Sequence, residues 1–159
     1  MKITIISVGK IKEKYYRDEV AEYEKRLSRY CKLDIIEVED EKTPDKASIA
    51  EEEQIKAREA ERILKHIKDD AFLITLEIDG DMYDSAGLAQ KLERLGIQGV
   101  SHIQFVIGGS LGLHNNVCGR ADMHLSFSKM TFPHQLMRVI LLEQIYRSYR
   151  IMNNEPYHK

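Results

Sequence analysis

The sequence predicts an α/β fold, a largely parallel sheet flanked by helices, and three observations carry that prediction. Short apolar runs rich in β-branched residues recur along the chain, amphipathic helical stretches separate them, and turn residues directly follow several of the runs. Runs that are apolar without alternation suit strands covered on both faces, as helices on either side of a parallel sheet require. With 159 residues, 43% of them hydrophobic, the chain is sized for one substantial core and one domain, residues 1–159.

Ile3 to Val8 is the first buried strand, closed by Gly9. Tyr16, Val20, Tyr23 and Leu27 then recur at helical spacing among charged residues, which marks an amphipathic helix. Leu33 to Val38 is the second strand, and the acidic stretch from Glu39 to Lys46, with Pro44, is a loop. Ser48 precedes a charged helix whose apolar side is Ile49, Ile55, Ile63, Leu64 and Ile67; its dense Glu, Lys and Arg form a solvated face.

Ala71 to Leu76 is the third strand, ending in the turn-like Glu77-Ile78-Asp79-Gly80-Asp81. Ser85 caps a helix that Gly96 stops. His102 to Ile107 is the fourth strand and runs into Gly108-Gly109-Ser110-Leu111-Gly112. A short segment from Asn115 to Arg120 leads to a last strand, Met123 to Ser128. Pro133 opens a long final helix with Leu136, Val139, Ile140, Ile145 and Tyr149 on its inner side, and the tail from Asn153 to Lys159 is irregular.

Composition and charge narrow the function. No apolar run approaches the ~20 residues needed to span a bilayer, and the apolar start is too short for a secretory leader, so the chain is expected in the cytoplasm without membrane contact. Cys31 and Cys118 lack metal-ligand spacing and read as buried thiols; no metal is assigned. The formal net charge of −2 argues against indiscriminate coating of nucleic acid. From Arg120 onward six basic residues face three acids, leaving +3 there and −5 elsewhere, so a polyanion is drawn to the C-terminal part.

Ligands of parallel sheets sit beyond the carboxyl ends of the strands, at a switch in strand order. Three loops qualify: Leu76 to Asp81, Gly108 to Gly112, and Phe127 to Pro133. The glycine turn lets a backbone approach a ligand closely, and it is equally readable as a tight structural turn. It lacks the spacing of a dinucleotide fingerprint and the lysine of a P-loop. Together the loops suit an adenine read by main-chain hydrogen bonds, with Leu76, Ile107, Leu125 and Met130 against its faces or, alternatively, serving as plain core.

His134 and Arg138 lie one helical turn apart, and Arg147 and Arg150 share a face three apart. Arginine matches phosphate geometry, while ion pairing, for instance of Glu143 with Arg147, is the plain alternative. Tyr157 and His158 close the chain as either a silent terminus or a lid that stacks on a base and moves a proton.

Read together, Ile107 to Gly112, Phe132 to Val139, Glu143 to Arg147 and Asn153 to Lys159 resemble the ribosomal RNA large-subunit methyltransferase H family of the SPOUT class, over essentially the whole chain. The resemblance implies a homodimer with a C-terminal trefoil knot and S-adenosylmethionine as cofactor. In this sequence the cofactor segments map to Leu76, Gly108 and the run Phe127, Ser128, Lys129, Met130, Thr131 and Phe132. It further implies N3 of a pseudouridine in helix 69 of 23S rRNA as acceptor, on the assembled ribosome. His158 and, second to it, His134 are the proton-handling candidates. Tyr157 is the base-orienting group, and Arg138 and Arg147 hold phosphate or the tail. The tail of one subunit is expected to complete the pocket of the other. A non-catalytic RNA-binding factor and a nucleotide enzyme using the glycine turn as phosphate cradle are the rivals.

Overall fold

The computed structural model describes Met1–Lys159. Ten elements follow in order: β1 (Lys2–Val8), α1 (Lys14–Leu27), β2 (Lys32–Val38), α2 (Ile49–Leu64), β3 (Phe72–Met82), α3 (Ser85–Ile97), β4 (His102–Ile107), α4 (Asn115–Cys118), β5 (Met123–Ser126) and α5 (His134–Met152). The five strands form one parallel sheet in the order β2-β1-β4-β3-β5.

Alternation along each strand divides the core into two layers. Ile3, Ile5, Ile74, Ile103, Phe105 and Leu125 point to one face, where Val20 and Leu27 of α1, Leu88 and Leu92 of α3, and Leu141 and Ile145 of α5 cover them. Ile6, Val8, Leu73 and Val106 point to the other, under Ala60 and Ile63 of α2 and Val117 of α4. Burying an aromatic such as Phe105, 0% exposed, contributes ~1.5–3 kcal/mol. Gln104 is the polar exception in a central strand: its amide donates to His66 O and accepts from Lys68 N, both at 2.8 Å, pinning the chain as it leaves α2.

Local chemistry sets the helix starts. Ser48 and Glu51 form a reciprocal capping box on α2. Ile49, counted on its apolar side, overhangs the sheet at the first helical position and is 84% exposed. On α3 the cap is Asp84, whose carboxylate accepts from Gly87 N at 2.6 Å, and not Ser85. Ser85 instead donates to Gln144 Oε1 on α5 at 2.8 Å. Gly96 does not stop α3, which runs to Ile97 and turns at Gly99, φ +97°.

The largest departure from the sequence reading is in β3. It does not end at Leu76 but continues to Met82, and both Leu76 and Asp81 stand opposite Leu125, so residues 77–80 bulge out of the ladder. Gly80 makes this possible: a Cβ there would lie 2.9 Å from the backbone carbonyl of His124. β5 is correspondingly short, ending at Ser126 rather than Ser128. The tail is irregular, as the sequence suggests.

Candidate functional site

The carboxyl ends of β3, β4 and β5 meet at a cavity of about 370 Å³, within the ~300–1,000 Å³ usual for small-molecule sites. The chain steps from β3 back to β4 through α3 on one face of the sheet. It then crosses over β3 to β5 through α4 on the other. That reversal is the switch point where parallel sheets bind ligands. Leu76, Ile107 and Leu125 supply apolar surface at the three strand ends.

One wall is the glycine turn. Gly109 and Gly112 bridge each other, Gly112 N donating to Gly109 O at 3.1 Å, and Gly112 sits at φ +85°. A Cβ on Gly108 would stand 2.9 Å from the Gly112 carbonyl carbon, so the turn closes only because that atom is missing. A Cβ on Gly112 would meet nothing within 4 Å, which leaves its backbone open to the cavity it lines.

The opposite wall is the loop between β5 and α5. Ser126 Oγ donates to Ile78 O at 2.9 Å and to Ser128 O at 3.1 Å, and Ser128 Oγ accepts from Met130 N at 3.0 Å. These bonds tie the loop to the β3 bulge and hold two walls in a fixed relation. Of the cofactor residues named from sequence, Leu76, Gly108, Phe127, Ser128, Met130, Thr131 and Phe132 all line the cavity. Lys129 does not; it is exposed outside it.

No lysine or arginine lines this cavity, whereas Glu77, Asp79 and His134 do. Burial, helped by the nearby Arg138 charge, pushes His134 below the ordinary histidine value, so it is neutral at pH 7. Cys118, also in the wall, is pushed up to about 11, first by burial and then by the neighbouring Glu77 carboxylate, and stays a thiol. Such a lining disfavours a phosphate-bearing ligand, and the helix after the glycine turn, α4, spans only four residues. Apolar side chains, open main chain and two carboxylates suit a ligand with an apolar or aromatic part and a positive charge. Sequence reasoning places Glu77 and Asp79 inside the candidate Leu76 to Asp81 loop without giving either a role, and it reads Cys118 only as a buried thiol.

The C-terminal candidates behave differently. Arg138 is 2% exposed and faces inward: Nη1 donates to Glu37 at 2.6 Å, and Nη2 reaches Val8 O at 3.0 Å and Gly9 O at 2.5 Å. Its guanidinium closes the end of β1 with both Nη atoms committed inward and Nε buried without a partner. Arg147 does hold the tail. It grips Glu143 through Nε and Nη2, contacts His158 Nδ1 through Nη1 at 3.1 Å, and stacks its guanidinium 4.6 Å from the Tyr157 ring centre. Tyr157 also packs edge-on against Tyr146 and donates to Glu143 at 3.2 Å. Arg150 pairs with Glu155, which accepts from Tyr30 as well.

The structure therefore brings His134 to the main cavity but leaves His158 beside a second one, lined by Tyr83, Asp84, Ile140 and Gln144. Leu125 and Phe127 line both and form the partition between them.

Fold and cavity define a methyltransferase of the SPOUT class, and a family model described as Predicted SPOUT methyltransferase matches residues 1–158. A solved structure of a probable methylase family protein from Haemophilus influenzae Rd KW20 shares the fold, with a TM-score of 0.56 and 15% identity over 99% of this chain and 70% of that one. Within the class, the Ribosomal RNA large subunit methyltransferase H of Bifidobacterium adolescentis is 67% identical over 159 residues, the whole of both chains. The protein of that description from Bifidobacterium animalis subsp. lactis is 62% identical, again over the full length of both. The chain belongs to the ribosomal RNA large subunit methyltransferase H family of SPOUT methyltransferases.

Proposed function

We propose that this protein transfers the methyl group of S-adenosylmethionine to N3 of a pseudouridine in helix 69 of 23S rRNA, acting as a homodimer on the assembled ribosome. The observation that carries the reading is the strand-end cavity, with its glycine turn, apolar floor and lack of any lysine or arginine. The acceptor comes from the relatives' rRNA large-subunit description and the family resemblance. The trefoil knot belongs to the same reading, as does a cytoplasmic location; no helix is long and apolar enough to cross a membrane.

When bound, S-adenosylmethionine supplies a methyl already made electrophilic by its sulfonium. The protein's residues bind, orient and exclude water, which is most of what such a transfer demands. Leu76, Gly108 and the segment from Phe127 to Phe132, with Lys129 turned out of the lining, would hold the adenosyl and methionyl parts. The acceptor N3 proton has to leave. His134 is neutral and lines the cavity, so in this chain alone it is the better-placed acceptor.

His158 takes that role when the tail of the partner subunit lies over the cavity. Arg147 donates to His158 Nδ1 in this structure, so the ring takes the proton once that contact is released, and Tyr157, stacked on Arg147, orients the base. Arg147 is then the residue that presents the tail, while Arg138 supports the scaffold beneath His134.

The test is to incubate the protein and labelled S-adenosylmethionine with ribosomes from a strain lacking it, and to map the labelled nucleotide. Label at a helix 69 pseudouridine on 70S particles is the expected result. Label elsewhere overturns the acceptor. Absence of cofactor binding by calorimetry overturns the enzyme in favour of an RNA-binding factor.

A further inference from the structure

Glu77 has no part in the chemistry above, yet its setting is built. It sits in the β3 bulge and lines the cavity. Thr75 Oγ1 donates to its Oε2 at 2.5 Å, and His124 Nδ1 on β5 contacts that same oxygen. Neither occupies Oε1. Burial raises this carboxyl, but hydrogen bonds from Thr75, His124 and the Cys118 thiol outweigh burial and hold it below the ordinary value. Glu77 is thus fully ionised at neutral pH. The cavity lining holds no lysine or arginine to neutralise it; His124, 45% exposed, contacts Oε2 from outside the lining and pairs with its charge only when protonated. An anchored charge that is partly withdrawn from water acts on a ligand with little screening.

Resting on the reading that S-adenosylmethionine is the methyl donor, we propose that Glu77 discriminates the charged donor from its spent product and thereby favours product release. As the methyl passes to the acceptor nitrogen, the pair of electrons in the S–CH3 bond stays on sulfur. The sulfonium becomes a neutral thioether, and the nitrogen's proton goes to the base. Donor and product keep the same ammonium and carboxylate, so their net charges differ by one, at sulfur. A carboxylate that reads the sulfur changes the affinity of the donor alone; one that reads the ammonium changes both.

Calorimetric titration of the full-length protein separates these cases, using S-adenosylmethionine, S-adenosylhomocysteine and sinefungin, which carries an ammonium near the sulfonium position. Glu77→Gln is expected to weaken S-adenosylmethionine and sinefungin roughly tenfold and S-adenosylhomocysteine less than about twofold. Glu77→Asp keeps the charge and retains most of the selectivity, which guards against a folding defect in the amide. His124→Gln, which withdraws one of the anchoring contacts, shifts selectivity the same way by less. Equal weakening of all three ligands, or none, overturns the inference. If the wild-type protein binds none of them, it is the methyl-donor reading itself that falls.

Discussion

The strand-end cavity and the C-terminal tail are both read as parts of one site, but they are built in opposite ways. The cavity's walls and floor come from a single chain. Its walls are backbone turns tied by Ser126, Ser128 and the glycine bridge, and its floor is sheet core. Beyond Glu155, whose N–H donates to Arg150 O, the tail is held only through side chains. Arg147, Glu143, Tyr146 and Tyr157 clasp it against α5, with Arg150 and Glu155 at its root. Backbone-built walls give a pre-organised ligand site; a side-chain clasp gives a segment that can be presented elsewhere without unfolding anything. On the proposed reading, that difference assigns cofactor binding to the protomer and acceptor chemistry to the assembly.

The sharpest way to break that division is to remove Tyr157 to Lys159. Methyl transfer to ribosomes is expected to fall by about 10²–10⁴-fold, the span a positioned proton-transfer group contributes. The calorimetric affinity for S-adenosylmethionine should stay within about twofold. A matching loss of cofactor affinity would mean that the tail is part of the cavity, and the two regions would not be separable.

Arg138 tests the scaffold side. Arg138→Met strips a buried charge from Glu37 and two donors from the carbonyls of Val8 and Gly9. Breaking such a set costs about 2–4 kcal/mol, the lower end reflecting that Glu37, 36% exposed, can rehydrate. Urea unfolding should show the loss as a lower midpoint with an unchanged slope. If stability is unaltered while ribosome affinity falls, Arg138 contacts phosphate after all.

How much of this was legible in the sequence follows from the range of the interactions involved. The buried strands and the loops that meet at the cavity are readable because burial on two faces and turn residues such as Gly80, Gly108 and Pro133 beyond the strands are local signals. The β3 extension was not, since the Leu76–Asp81 bulge exists only against β5 and through the close approach at Gly80. Two good capping residues stand side by side at Asp84 and Ser85, and a contact to Gln144, 59 residues away, decides which one caps. The spacing of His134 and Arg138 correctly placed them on one face. Nothing nearby announced Glu37, 101 residues upstream, as the partner that turns Arg138 inward. The net +3 of the C-terminal part already counts Glu143 and Glu155; what the sequence does not show is that Glu37 and Asp69, from outside that part, pair with Arg138 and Arg120 in the folded chain.

Arg147 is the clasp itself and belongs between the two extremes. Arg147→Gln removes the Glu143 pair, the His158 contact and the stacking on Tyr157, all half-exposed, so stability should drop by less than about 1 kcal/mol. Methyl transfer is expected to fall roughly tenfold, with Arg147→Lys recovering little because a point charge cannot grip Glu143 and stack on Tyr157 together. Thermal unfolding beside a ribosome assay reads both. A stability loss as large as that of Arg138→Met would put Arg147 in the scaffold.

The smallest expected effect is the pH response of His134, where the cavity meets the scaffold. Its surroundings are Arg138 and Lys12, which lower its pKa beside the larger effect of burial, and Asp40, which raises it. A folded-state pKa below the unfolded value of ~6.5 means that the unfolded chain binds the proton first. This contribution to stability is therefore fully present above about pH 6.5 and is lost as the pH falls through the folded pKa. His134→Gln removes the penalty, so the loss of stability from pH 7.5 to 5.5 should be smaller in the variant, by less than about 1 kcal/mol. His102, also lowered by burial, contributes equally in both proteins and cancels from the difference. Urea midpoints at the two pH values measure it. A variant with the same acid dependence as the parent would show that His134 is as free to take a proton in the folded protein as in water. The neutral, cavity-facing base would then lose its physical basis.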